Sequence, residues 1–130
     1  MKLVEVIDTC HTLFEYFPGG DLLTHIRHYG RFSEDEIRVM LSEIILAMEY
    51  LHFKDIIYRD LKVNDLFIQP ENVVLDKEGH LHLTDFGLCK QIRGKTFTFC
   101  GSIGYIAPEI MRNEGHTKTV DWYHLGVLAY

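Results

Sequence analysis

Hydrophobic and polar positions alternate first in "KLVEVID", where Leu3, Val4, Val6 and Ile7 are interleaved with charged residues. The pattern predicts a strand, and "LFEYF" predicts a second, ended by the breaker run "PGGD". "DLLTHIRHYG" reads as a helix closed by Gly30. The clearest helix follows. Ser33 and Glu36 make a capping box, and Glu34 and Asp35 suit the positive end of the helix dipole. Ile37, Met40, Leu41, Ile44, Ile45, Met48 and Leu51 then recur at helical spacing and read as a core stripe. Short strands are predicted at "NVVLD" and "HLHLTDF", on either side of a "KEG" turn. A weakly periodic segment rich in Gly, Thr and Phe runs on to "APEI". "VDWYHLGVLAY" looks like the start of an apolar helix with no closing cap, so the chain reads as a fragment.

Composition changes this picture little. The 130 residues are 47% hydrophobic and 25% charged, as expected for a globular domain. A net charge of -6 gives no support to nucleic-acid binding, which needs a basic face. No apolar run is long enough to span a bilayer, and Glu5 interrupts the N-terminus before any signal-peptide core. Three cysteines, Cys10, Cys89 and Cys100, show no CxxC spacing and read as reduced thiols. A cytoplasmic or nuclear setting is expected.

The chemistry lies in four patterns met in a fixed order: "YRDLK" with "PEN", then "DFG", then a Thr-containing segment, then "APE". Each alone has a bland explanation; the ordered set does not. On these motifs, with "EYFPGGDL", "LTDFGLCK" and "TFCG", the sequence resembles a eukaryotic Ser/Thr protein kinase of the AGC group.

The resemblance implies an α+β, protein-kinase-like fold. Residues 1–17 would supply two strands of the N-lobe sheet and the hinge, and residues 18–130 the helical C-lobe as far as its F helix. It implies transfer of the ATP γ-phosphate to a protein hydroxyl, with ATP and Mg²⁺ required. Such transfer needs charge neutralisation and positioning more than covalent chemistry. Asp60 would be the base and Lys62 the contact to the transferring phosphate. Asn72 and Asp85 would be oxygen ligands of Mg²⁺, a hard cation.

Phe14 would be the gatekeeper. The backbone of Glu15 and Phe17 would pair with adenine, and Asp21 with the ribose and an Arg of a substrate carrying basic upstream residues. Thr98 would carry a phosphate placed by an activating kinase and received by Arg59 and Lys90. Asp121 would brace the catalytic loop, and Glu109 would pair with an Arg outside these residues. His80 and His82, two apart on a strand, read as a surface pair rather than metal ligands.

The sequence departs from the family in three ways. It contains no Gly-rich loop, strand Lys or helix Glu, so little catalysis is expected of this polypeptide by itself. "GSIGY", with Ser102, Ile103 and Gly104, alters the segment that docks the substrate. And "VNDLFIQ", residues 63–69, interrupts the catalytic loop, carrying Asn72 seven positions farther from Asp60 than the motif requires.

Every Val codon begins GT and one Gln codon is CAG. The insertion therefore fits seven codons running from GT to AG, and reads as a short in-frame retained intron. The alternative function is a catalytically inactive, kinase-like binding or regulatory module.

Overall fold

The computed structural model describes residues 3–6, 12–62, 72–101 and 104–130, the first segment and 12–14 as backbone alone. The insertion at 63–69, Cys10, Ser102, Ile103 and the side chain of Phe14 lie outside the described residues.

Strands β1 (Leu3–Val6) and β2 (Thr12–Phe14) pair antiparallel. The second is shorter than the sequence pattern predicts. Pairing ends at Phe14, because Glu15–Phe17 lead into a turn that attaches elsewhere. Gly19 donates its N–H to the Leu75 carbonyl at 3.0 Å. A Cβ there would sit 2.6 Å from the carbonyl oxygens of Leu75 and Asp76, so only glycine permits the approach.

Strand β3 (Gly20–Asp21) then joins β5 (Val73–Leu75) and β6 (Leu81–Leu83) in an antiparallel sheet of order β3-β5-β6. Helix α1 (Leu22–Tyr29) starts on an Asp21 cap and ends at Gly30, whose φ of 76° suits glycine. Helix α2 (Glu34–Phe53) carries the capping box expected from its sequence. Its Ser33 Oγ accepts the Glu36 N–H at 3.3 Å, and Glu36 Oε2 accepts the Ser33 N–H at 2.7 Å. Ile44 and Met48 of the apolar stripe are buried; they pack with Leu22, Tyr58, Leu61, Val73, Leu75, Leu81 and Leu83 in the main core.

Strand β4 (Ile56–Ile57) pairs with β7 (Lys90–Gln91), so the segment before "YRD" lies alongside the segment after "DFG". A second core of Ile57, Ala107, Ile110 and Val120 fastens α3 (Pro108–Met111) and α4 (Thr119–Ala129) to this ribbon. These few pairings explain how residues far apart in sequence meet. The β5-β6 hairpin brings Asn72 beside the strand that ends at "DFG", with the Thr84 N–H donating to the Asn72 carbonyl at 2.9 Å. No helix among the described residues is long and apolar enough to cross a membrane.

Candidate active site

Asp60, Lys62 and Asn72 form one buried cluster, with exposures of 5%, 6% and 0%. Asn72 Nδ2 donates to Asp60 Oδ2 at 2.7 Å and to the Asp60 carbonyl at 2.6 Å. Lys62 Nζ stands 3.1 Å from the same Asp60 Oδ2. The seven inserted residues therefore do not hold the two ends of the loop apart.

With its amide nitrogen committed to Asp60, Asn72 turns Oδ1 to the other side. That oxygen is buried and meets no hydrogen-bond donor among the described residues. An orphaned buried acceptor costs roughly 1–3 kcal/mol unless a donor or cation satisfies it. Asp85 lies one residue beyond Thr84, in the left-handed region at φ 52°, which a non-glycine residue adopts at a cost. Its side chain is exposed, and Oδ1 accepts the Gly87 N–H at 3.0 Å. A free amide oxygen and an exposed carboxylate are the hard donors that suit Mg²⁺. The residues present fit that ion.

The loop itself is shaped by Asp121. Its fully buried carboxylate accepts the Tyr58 N–H at 2.9 Å and the Arg59 N–H at 2.7 Å. A third contact, His52 Nε2 to Asp121 Oδ2 at 2.7 Å, ties the end of α2 into the same point. Arg59 is held at φ 66°, a second left-handed residue in the site. Tyr58 is wholly buried, its hydroxyl donates to the Thr84 carbonyl, and its ring meets Phe86 edge-on at 5.7 Å. Burial, reinforced by nearby acidic groups, pushes the Tyr58 phenol far above its ordinary range. The Cys89 thiol, beneath the same loop, is pushed up to about 12, first by burial. It is an inert thiol, not a reactive one.

The hinge residues lie apart from this cluster. Glu15 is exposed, and the half-buried Phe17 ring stacks obliquely on His82 at 4.6 Å. Asp21 caps α1, accepting the Thr24 N–H at 2.7 Å and the Thr24 hydroxyl at 2.9 Å. Burial opposes its charge, but these bonds outweigh that and hold its carboxyl below the usual range. His80 and His82 each take a carboxylate, Glu43 at 2.6 Å and Asp76 at 2.9 Å.

In the activation segment, exposed Thr98 stands 3.1 Å from Lys90 Nζ, which also reaches Thr96 Oγ1 at 2.9 Å. Arg59 spends Nε on the Leu88 carbonyl at 2.7 Å, and its Nη1 is buried without a partner among the described residues. Glu109 is half-buried in the first turn of α3, with no salt bridge among the described residues. Sequence reasoning missed His52 and His116. His52 acts on a carboxylate 69 positions away, and no local spacing signals such a contact.

Comparison with known proteins places the chain. The protein kinase domain family matches residues 1–130. The chain is 47% identical over 120 residues to the cAMP-dependent protein kinase catalytic subunit PRKX of Mus musculus, covering 92% of this chain and 32% of that protein. The figures for the Homo sapiens protein of the same name are identical. It is 50% identical over 123 residues to a ribosomal protein S6 kinase beta of Caenorhabditis elegans, covering 92% of this chain and 21% of that protein. The chain thus spans about a third or less of the length of these relatives. With the catalytic-loop, "DFG" and "APE" motifs gathered on one lobe, the chain belongs to the protein kinase family, as an AGC-like Ser/Thr kinase domain.

Proposed function

We propose that these residues form the catalytic lobe of an enzyme that transfers the γ-phosphoryl group of ATP to a protein Ser or Thr hydroxyl. The observation that carries the reading is the buried Asp60–Asn72 pair, with Asn72 Oδ1 meeting no donor among the described residues and Asp85 one position beyond the Thr84 that bonds the Asn72 carbonyl. Such transfer runs on positioning and electrostatics, and rigid side chains at the reacting centre supply both.

In this reading Asp60 accepts the proton of the attacking hydroxyl. Asn72 Nδ2 and Lys62 Nζ fix Oδ2, so the carboxylate has one orientation. Lys62 Nζ, held in that cluster, contacts the transferring phosphate. Asn72 Oδ1 and the Asp85 carboxylate would hold Mg²⁺, which when bound would neutralise phosphate charge. The backbone of Glu15 and Phe17 receives adenine, and Asp21 the ribose.

Thr98 is the regulatory phosphoacceptor for an upstream kinase. Its exposure, and the lysine already at its hydroxyl, support that role. Substrates with basic residues before the acceptor suit the acidic balance of the chain.

The 130 residues alone turn over slowly, since they carry no Gly-rich loop and no strand Lys–helix Glu pair. The test is therefore a chimera in which residues 15–130 follow the N-lobe of a kinase relative. Label from γ-³²P-ATP is expected on a Ser/Thr peptide, with Asp60→Asn lowering the rate by a factor on the order of a thousand. A folded chimera that binds ATP but never labels peptide supports the inactive binding module instead.

A further inference from the structure

Two buried nitrogens near the activation segment have no hydrogen-bond partner among the described residues: Arg59 Nη1 and His116 Nε2. The residues are 5% and 2% exposed, so water does not compensate them. His116 comes from the loop between α3 and α4, and one backbone pairing brings it to this region. Its N–H donates to the Thr96 carbonyl at 2.8 Å, and the Thr96 N–H donates back to its carbonyl at 2.9 Å. In such a hydrogen-bonded antiparallel pair the two facing side chains leave the same side of the ribbon. On that side Thr96 Oγ1 lies 3.3 Å from Thr98 Oγ1, with Lys90 Nζ touching both hydroxyls. The imidazole therefore stands on the side of the ribbon where Lys90 meets Thr98.

We propose that His116 is the third wall of an anion site shared with Arg59 and Lys90, donating Nε2–H to an oxygen of a phosphate carried on Thr98. The inference rests on the reading of Thr98 as a phosphoacceptor and extends it to a residue outside the catalytic loop. A phosphothreonine brings three free acceptor oxygens and close to two negative charges. Lys90 supplies one donor, and the two orphaned nitrogens supply the rest.

The charged surroundings add a second consequence. Groups on four elements bear on the ring: Arg59 after β4, Lys90 on β7, Glu109 on α3 and Asp121 on α4. Burial, and then Arg59, keep His116 neutral below its ordinary range. A phosphate beside the ring offsets both cations, so the ring gains a proton as the phosphate docks. Modification of Thr98 and proton uptake are thereby coupled.

The test places phosphothreonine at position 98 of the 130-residue chain by genetic encoding, with ¹³C,¹⁵N-labelled histidine. The His116 ring is titrated by NMR and the phosphate by ³¹P. Phosphorylation is expected to raise the His116 midpoint by about one pH unit, a tenfold gain in proton affinity. It should also raise the thermal midpoint, and His116→Gln should remove part of that rise. A thermal rise with an unmoved His116 titration would overturn the inference and leave Arg59 and Lys90 as the whole site. No thermal rise and no change at His116 would overturn the reading of Thr98 itself. If His116→Gln does not fold, the titration of the unsubstituted chain still decides.

Discussion

Asp121 holds Arg59 in a left-handed backbone conformation from 62 positions away, its Oδ1 accepting the Arg59 N–H at 2.7 Å. The same carboxylate takes the Tyr58 N–H through Oδ2. The residues on either side of the Tyr58–Arg59 bond, just before Asp60, are thus aimed by an acidic group on helix α4. Without that group Arg59 would relax toward a common conformation and turn Asp60 away from Asn72.

Replacing Asp121 by Ala leaves two buried backbone N–H groups unsatisfied and His52 without its partner. A loss of about 3 kcal/mol is expected in urea-induced unfolding. Asp121→Asn, which keeps an acceptor of the same shape, is expected to lose less. Equal stabilities of all three proteins would show that the brace has no mechanical role.

Deleting residues 63–69 is expected to leave the Asp60–Asn72 contact in place, because those side chains already meet at 2.7 Å with the insertion present. Shortening the loop between them lowers its closure entropy, a gain of about 0.8 kcal/mol. A deleted chain less stable than the original would mean that the seven residues contribute packing of their own. Sequencing the transcript tests their origin: messages lacking these codons are expected, and their presence in every copy contradicts intron retention.

His124 gives the fold a predictable acid sensitivity. It is 1% exposed. Burial holds its pKa below the ordinary 6.5, against the opposing pull of Asp121, Asp60 and Glu109. The unfolded chain therefore binds the proton more tightly than the folded one. Stability is complete above the unfolded value and falls as pH drops below about 6.5. His116 is shifted the same way and adds to the loss. Between pH 7 and pH 5 the unfolding midpoint of the chain should fall faster than that of His124→Leu. Parallel curves would contradict the assignment of His124 as a neutral buried group.

Much of this was legible in the sequence, for identifiable reasons. The capping box of α2, its apolar stripe and the Gly30 stop depend on local chemistry, and they appear where the letters put them. The alternating pattern makes the hinge strand longer than it is because Gly19 is drawn to Leu75, a contact that pattern alone does not carry. Asp60, Lys62, Asn72 and Asp85 were legible only as an ordered motif. Nothing in their spacing says that Asn72 Nδ2 would find Asp60 across seven extra residues. His52 and His116 were illegible because each depends on one long-range pairing, to Asp121 and to Thr96 respectively.

The central claim is that Asn72 and Asp85 present a divalent-ion site to a nucleotide. Thermal unfolding of the 130-residue chain with ATP plus Mg²⁺, with ATP plus EDTA, and with Mg²⁺ alone tests it most directly. A nucleotide bound at a hundred times its Kd adds about 2.7 kcal/mol, enough to move the midpoint by several degrees. The account predicts a rise with ATP and Mg²⁺ together that exceeds the other two conditions and vanishes in Asp85→Asn. No rise under any condition, or the same rise in Asp85→Asn or with EDTA, would contradict it.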